Sequence, residues 1–176
     1  RMISWLRQAG FGTALLAWPA DCSVESAKTA FAETAGHVEP IGADRVSALE
    51  LRYMGIGRGA LDASVLQIAN SIATVARYGH FLAPTLCVDP VTVQTSRDLG
   101  AGRGDVLLLR RAMYGVINEP EGTAYQAFQP LPWQSSEVEL FGKTGSTDYS
   151  LFAGFAAAKD GRTIVLSVLV EIDAHG

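Results

Sequence analysis

The sequence predicts an α+β fold in which an antiparallel β-meander of three C-terminal strands packs against helices. Three observations carry that expectation. Apolar residues recur at 3.6-residue spacing between Leu61 and Ala76, and again between Val106 and Ile117, the pattern of amphipathic helices. Beyond Glu137, β-rich segments at residues 137–147, 151–156 and 163–170 are separated only by the short connections Asp148-Tyr149 and Lys159-Asp160-Gly161. Helices thus precede strands instead of alternating with them, and short turns join neighbouring strands as antiparallel partners.

Taken in order, residues 2–9 place Ile3 and Leu6, with Met2 and Ala9, at helical spacing, and Gly10 ends the segment. Residues 11–52 show no sustained period and read as an extended excursion with one helical turn at residues 26–34. Gly55-Ile56-Gly57-Arg58-Gly59 has glycines at alternate positions, which fits neither the dinucleotide fingerprint nor the phosphate loop, so it reads as a turn. The next helix carries Leu61, Val65, Ile68, Ala69, Ile72, Val75 and Ala76 on one face. Asp62 or Ser64 is its N-cap and Gly79 its C-cap. Residues 81–88 are extended but interrupted by Pro84, as at a sheet edge, and residues 90–104 form a polar loop. Asp105 then caps a helix that ends before Pro120, with Arg110 and Arg111 on its solvated face. The last strand, nearly all apolar, reads as buried on both faces.

Composition narrows the function classes. A chain of 176 residues with 48% hydrophobic and 18% charged residues is a folded domain, and its length suits one. Fourteen basic against eighteen acidic residues give a net charge of −4, with no bulk attraction for nucleic acid. The apolar runs at residues 14–18 and 164–170 fall short of the roughly 20 residues that span a bilayer, so no membrane span is expected, and residues 1–5 show no export signal. Cys22 and Cys87 lack a Cys-x-x-Cys pattern and read as reduced thiols; His37, His80 and His175 lack metal-ligand spacing. Neither metal nor cofactor is expected.

Chemistry concentrates in Phe141-Gly142-Lys143-Thr144-Gly145-Ser146-Thr147. Lys143 sets a cation beside a strand, Thr144 and Ser146 offer hydroxyls to an anion, and Gly145 leaves room for a ligand to lie against the backbone. Lys-Thr-Gly on a strand, followed by Phe152-Ala153-Gly154-Phe155-Ala156 on the next, resembles the penicillin-binding proteins, the serine acyl-transferases that crosslink peptidoglycan. Other segments are similar to that family in the same order. They are Trp5-Leu6 with Gly10-Phe11-Gly12, Gly55 to Gly59 with Gln67-Ile68-Ala69-Asn70, Val116 with Gly122-Thr123-Ala124, and the closing strand from Ile164 to Glu171.

The resemblance implies a partial β-lactamase/transpeptidase-like fold. It implies Lys143 as a catalytic residue, Thr144, Gly145, Ser146 and Thr147 as substrate-binding residues, and the Ser146 N–H as half of an oxyanion hole. It further implies a peptidoglycan stem peptide or a β-lactam as partner, and a location outside the cytoplasmic membrane. The family's Ser-x-x-Lys and Ser-x-Asn motifs are not found. The lysines are Lys28, Lys143 and Lys159, preceded three residues earlier by Glu25, Leu140 and Ala156; Asn70 and Asn118 follow Ile68 and Val116 by two; and Ser26-Ala27-Lys28 is too short a spacing. Residues 1–176 are therefore expected to be a single partial domain, the C-terminal part of a DD-transpeptidase, and inactive alone. The alternative is a non-catalytic peptide-binding or assembly module of the same fold. The family's C-terminal helix is not evident after Glu171. The strand from Ile164 to Val170 would lack its family neighbours, which predicts a homo-oligomer formed through that edge.

Overall fold

A computed structural model describes residues 2–16, 32–39, 47–86, 95–129, 137–147 and 149–171. Their helices are α1 (Met2–Gln8), α2 (Ala48–Gly55), α3 (Val65–Ala76) and α4 (Arg103–Asn118). Their strands are β1 (His80–Leu82), β2 (Ser96–Asp98), β3 (Val138–Ser146), β4 (Tyr149–Ala158) and β5 (Thr163–Glu171). Two compact units result, Arg1–Asn70 with Phe81–Leu99 and Ser71–His80 with Gly100–Gly176. Residues 26–31 of the expected helical turn, both cysteines and the segment after Glu171 lie outside the described residues, and residues 32–34 are not helical.

The first unit is organised around Gln67, 1% exposed near the start of α3. Ser64 caps this helix: its hydroxyl accepts from the Gln67 N–H at 3.1 Å, while the Gln67 Oε1 accepts from the Ser64 N–H at 2.9 Å. This is a reciprocal capping box. The Gln67 Nε2 amide then donates to the carbonyls of Gly10 (3.2 Å), Thr13 (2.9 Å) and Ala35 (2.6 Å), tying two irregular segments to the helix. The accompanying core is Ala9, Leu15, Phe81, Ala83 and Leu99, with Phe11 packed on it.

Two features of this unit correct the sequence reading. The excursion does not extend to Arg52, because α2 starts at Ala48 behind a second capping box. There the Ser47 N–H and hydroxyl bind the Glu50 carboxylate and its N–H, and the Ser47 backbone and then its side chain hold the Glu50 carboxyl below its ordinary range. The polar loop likewise contains β2, paired with β1 in a two-stranded sheet. The glycine run after α2 is a turn as expected, with positive φ at Gly57 and Gly59.

The second unit holds the predicted meander. β3 pairs antiparallel with β4 and β4 with β5, giving the order β3-β4-β5. The register aligns Phe141, Phe155 and Val165 across the sheet. Phe141 stacks on Phe155 with centroids 4.3 Å apart, and Met113 of α4 completes this core, with Ile72, Val75 and Tyr114 against it. Asn118, at the end of α4, donates to the Leu140 carbonyl at 2.9 Å and so ties the helix to β3.

Three expectations about this unit change. Helix α4 begins at Arg103 behind Gly102, so Asp105 lies inside the first turn instead of capping it. Arg110 is not solvated: its guanidinium lies 4.4 Å from the Tyr78 ring centroid, 4.8 Å from that of Phe141 and 4.9 Å from that of Phe155, and donates to the Ala76 carbonyl at 3.0 Å. Arg111 does face solvent, where it pairs with Glu119. Strand β5 is not buried on both faces: the even-numbered residues share one face, and there Ile164 is 73%, Leu166 53% and Val170 55% exposed.

The start of α4 also makes a prediction. A Cβ at Gly104 would meet nothing within 4 Å. Gly104→Ala should raise stability by about 0.5–1 kcal/mol, seen as a higher urea midpoint at unchanged slope.

Candidate active site

Lys143, Thr144, Gly145 and Ser146 are the last four residues of β3, and Thr147 opens the turn to β4. The β3–β4 ladder decides which backbone groups point away from the sheet. At one end the Lys159 N–H donates to the Glu137 carbonyl (3.0 Å), and at the other the Thr147 N–H donates to the Tyr149 carbonyl (2.9 Å). Antiparallel pairing alternates, so the odd-numbered residues between them exchange hydrogen bonds with β4. Leu140, Gly142, Thr144 and Ser146 therefore turn their N–H and C=O groups to the outer edge of β3. The Leu140 carbonyl meets Asn118 there, and no described strand covers the rest of that edge.

The result is a short edge with an exposed cation and hydroxyl groups. Lys143 is exposed and its ammonium donates to the Thr144 carbonyl, which lies on that edge. The Thr144 hydroxyl meets the Thr123 hydroxyl at 2.6 Å. Ser146 and Ser150 are cross-strand partners, which gathers further hydroxyl-bearing residues at the end of the hairpin beside Thr147. Such an edge can take an extended chain as a further strand and hold an anion with hydroxyls and a cation.

Thr123, which the sequence does not single out, is a candidate site residue by its contact with Thr144; its local signal is Gly122-Thr123-Ala124, which carries family resemblance without a role. Its position is built by the end of α4. The Gly122 N–H donates to Glu119 (2.8 Å), the Ala124 N–H to Val116 (3.0 Å) and the Tyr125 N–H back to Gly122 (3.0 Å). A Cβ at Gly122 would lie 2.3 Å from the Gly115 oxygen and 2.4 Å from that of Val116, so only glycine fits. Downstream, Phe128 packs on Phe152, the cross-strand partner of Thr144, with ring centroids 5.4 Å apart.

The fold recurs in solved structures of a peptidoglycan glycosyltransferase and of penicillin-binding proteins. A peptidoglycan glycosyltransferase from Burkholderia ambifaria is 22% identical, with a TM-score of 0.68 over 97% of this chain and 48% of that one. Pseudomonas aeruginosa PBP2 in complex with WCK 5153 is 23% identical, with a TM-score of 0.67 over 97% of this chain and 38% of that one. Penicillin-binding protein A from M. tuberculosis, an imipenem acyl-enzyme complex, is 20% identical, with a TM-score of 0.64 over 99% of this chain and 38% of that one. At these identities the likeness is one of fold, and the chain spans less than half the length of each. No curated protein matches the sequence. The family described as penicillin binding protein transpeptidase domain matches residues 1–175. The chain belongs to that family.

Proposed function

We propose that this chain supplies the Lys-Thr-Gly wall of a peptidoglycan DD-transpeptidase site. The observation that carries the reading is the outer edge of β3, where the outward backbone of Thr144 and Ser146 coincides with exposed Lys143. A stem peptide lies along that edge as an added strand, and a β-lactam takes the same place. The hydroxyls of Thr144 and Ser146 and the Lys143 ammonium bind the ligand carboxylate, Lys143 also serves proton transfer, and Gly145 lets the acyl group approach. The Ser146 N–H supplies half of the oxyanion hole, where it gains strength as negative charge develops on the attacked carbonyl oxygen. Serine and lysine of the nucleophile motif are supplied by residues that this sequence does not contain, and the site works outside the cytoplasmic membrane. No described helix is long and apolar enough to cross one. In the full-length protein that carries this chain, Lys143→Ala should slow acylation by a fluorescent penicillin by about a hundredfold or more. An unchanged rate would contradict the role.

The second edge of β5, which no described strand covers, carries a separate expectation for the isolated chain. The Ala158 N–H donates to the Arg162 carbonyl, so even-numbered residues bond to β4 and the odd-numbered ones present their backbone outward. A second copy docked antiparallel about Ser167 pairs Ile164 with Val170 and Leu166 with Val168, joining apolar side chains on one face. Sedimentation velocity should therefore show dimers or larger species, with Leu166→Lys shifting them toward monomer. A clean monomer at high concentration contradicts this.

A further inference from the structure

The Thr123–Thr144 contact assigns a direction to a hydrogen bond. Each hydroxyl has one proton and can accept as well. At 2.6 Å one of the two must donate to the other. If Thr144 donated to Thr123, its proton would be spent and it could offer a carboxylate only lone pairs. If Thr123 donates, the Thr144 proton is free to point outward, and accepting one bond strengthens the one it gives. The backbone around Thr123 is fixed, which holds its hydroxyl against Thr144. Gly122 is wedged against the last turn of α4, and the N–H groups of residues 122, 124 and 125 are all engaged.

We infer that Thr123 is a positioning residue for ligand binding: it donates to the Thr144 Oγ1 and so orients the Thr144 hydroxyl as a donor to the carboxylate of an incoming peptide or β-lactam. The inference rests on the reading of β3 as the site wall. It goes beyond that reading by giving a loop residue outside Lys-Thr-Gly a part in recognising the ligand's charge. Thr123 touches no reacting atom in this scheme and acts through Thr144.

The test is the second-order acylation constant of the full-length protein that carries this chain. It is measured with a carboxylate-bearing β-lactam and with the neutral methyl ester of the same compound. Thr123→Val, which keeps the shape and removes the hydroxyl, should lower the constant for the carboxylate about three- to tenfold through weaker binding, with the limiting acylation rate nearly unchanged. The ester should be unaffected, Thr123→Ser should restore the parent value, and Thr123→Val should add nothing in a Thr144→Val background. Equal losses for acid and ester would overturn the inference, because a structural role predicts that result. So would a Thr123→Val protein that reacts as the parent does while Lys143→Ala is slowed as expected, an outcome that leaves the wall intact. If Lys143→Ala reacts normally, the wall itself fails and the role of Thr123 falls with it. Should Thr123→Val fold poorly, Thr123→Ser and Thr123→Ala carry the same comparison, serine retaining carboxylate preference and alanine losing it.

Discussion

Gln67→Ala is expected to lower the unfolding temperature by about 10 °C, corresponding to about 4 kcal/mol for a chain of this size. The side chain is almost fully enclosed, and its amide is the donor to the carbonyls of Gly10, Thr13 and Ala35. Truncation leaves those oxygens and the Ser64 N–H without this partner, and each buried orphan costs roughly 1–3 kcal/mol. Gln67→Glu should be nearly as damaging at neutral pH, since a carboxylate presents oxygens where donors are required. Thermal melts of both variants check this. Amide exchange should show the loss in residues 9–15 and 35–38, and a melt within about 2 °C of the parent would contradict the role given to Gln67.

Gly122→Ala is the second large effect. The new Cβ would stand 2.3–2.4 Å from the Gly115 and Val116 carbonyl oxygens, and backbone atoms cannot swing aside as a flexible side chain can. Relief requires lifting the 122–125 turn off the end of α4, at a cost of about 3 kcal/mol. That movement also parts Thr123 from Thr144 and disturbs Phe128 on Phe152. Denaturant unfolding should show the lost stability, and in the full-length protein acylation should fall by more than it does for Thr123→Val. A variant as stable as the parent would mean that the turn is not held as described.

How much of this is legible in the sequence depends on whether a local pattern carries the answer. Helix α3 announces itself by six apolar residues at helical spacing, Leu61 of the pattern falling before its Ser64 cap, and the meander by short turns between β-rich segments. The proposed site wall is legible because Lys143 to Ser146 are consecutive. Helix α2 escapes the pattern because Leu49, Leu51 and Tyr53 fall at alternate positions and are all exposed; only Ser47 and Glu50, at capping-box spacing, mark it. Arg110 reads wrongly as solvated because its aromatic neighbours Tyr78, Phe141 and Phe155 are far away in sequence. The burial of β5 is misjudged for a related reason: composition records an apolar strand, whereas burial depends on which elements pack against its two faces. Thr123 lies 21 residues from Thr144, and nothing local joins the two.

In the proposed function, residues 1–176 hold the ligand-binding wall of an acyl-transfer site whose nucleophile lies elsewhere. The most direct measurement is mass mapping of the full-length protein that carries this chain after reaction with a β-lactam. One stoichiometric adduct is expected, on a serine of a Ser-x-x-Lys motif outside these residues, forming about a hundredfold or more slowly in Lys143→Ala. An adduct on any hydroxyl between Arg1 and Gly176, or adduct formation at the parent rate in Lys143→Ala, would contradict this.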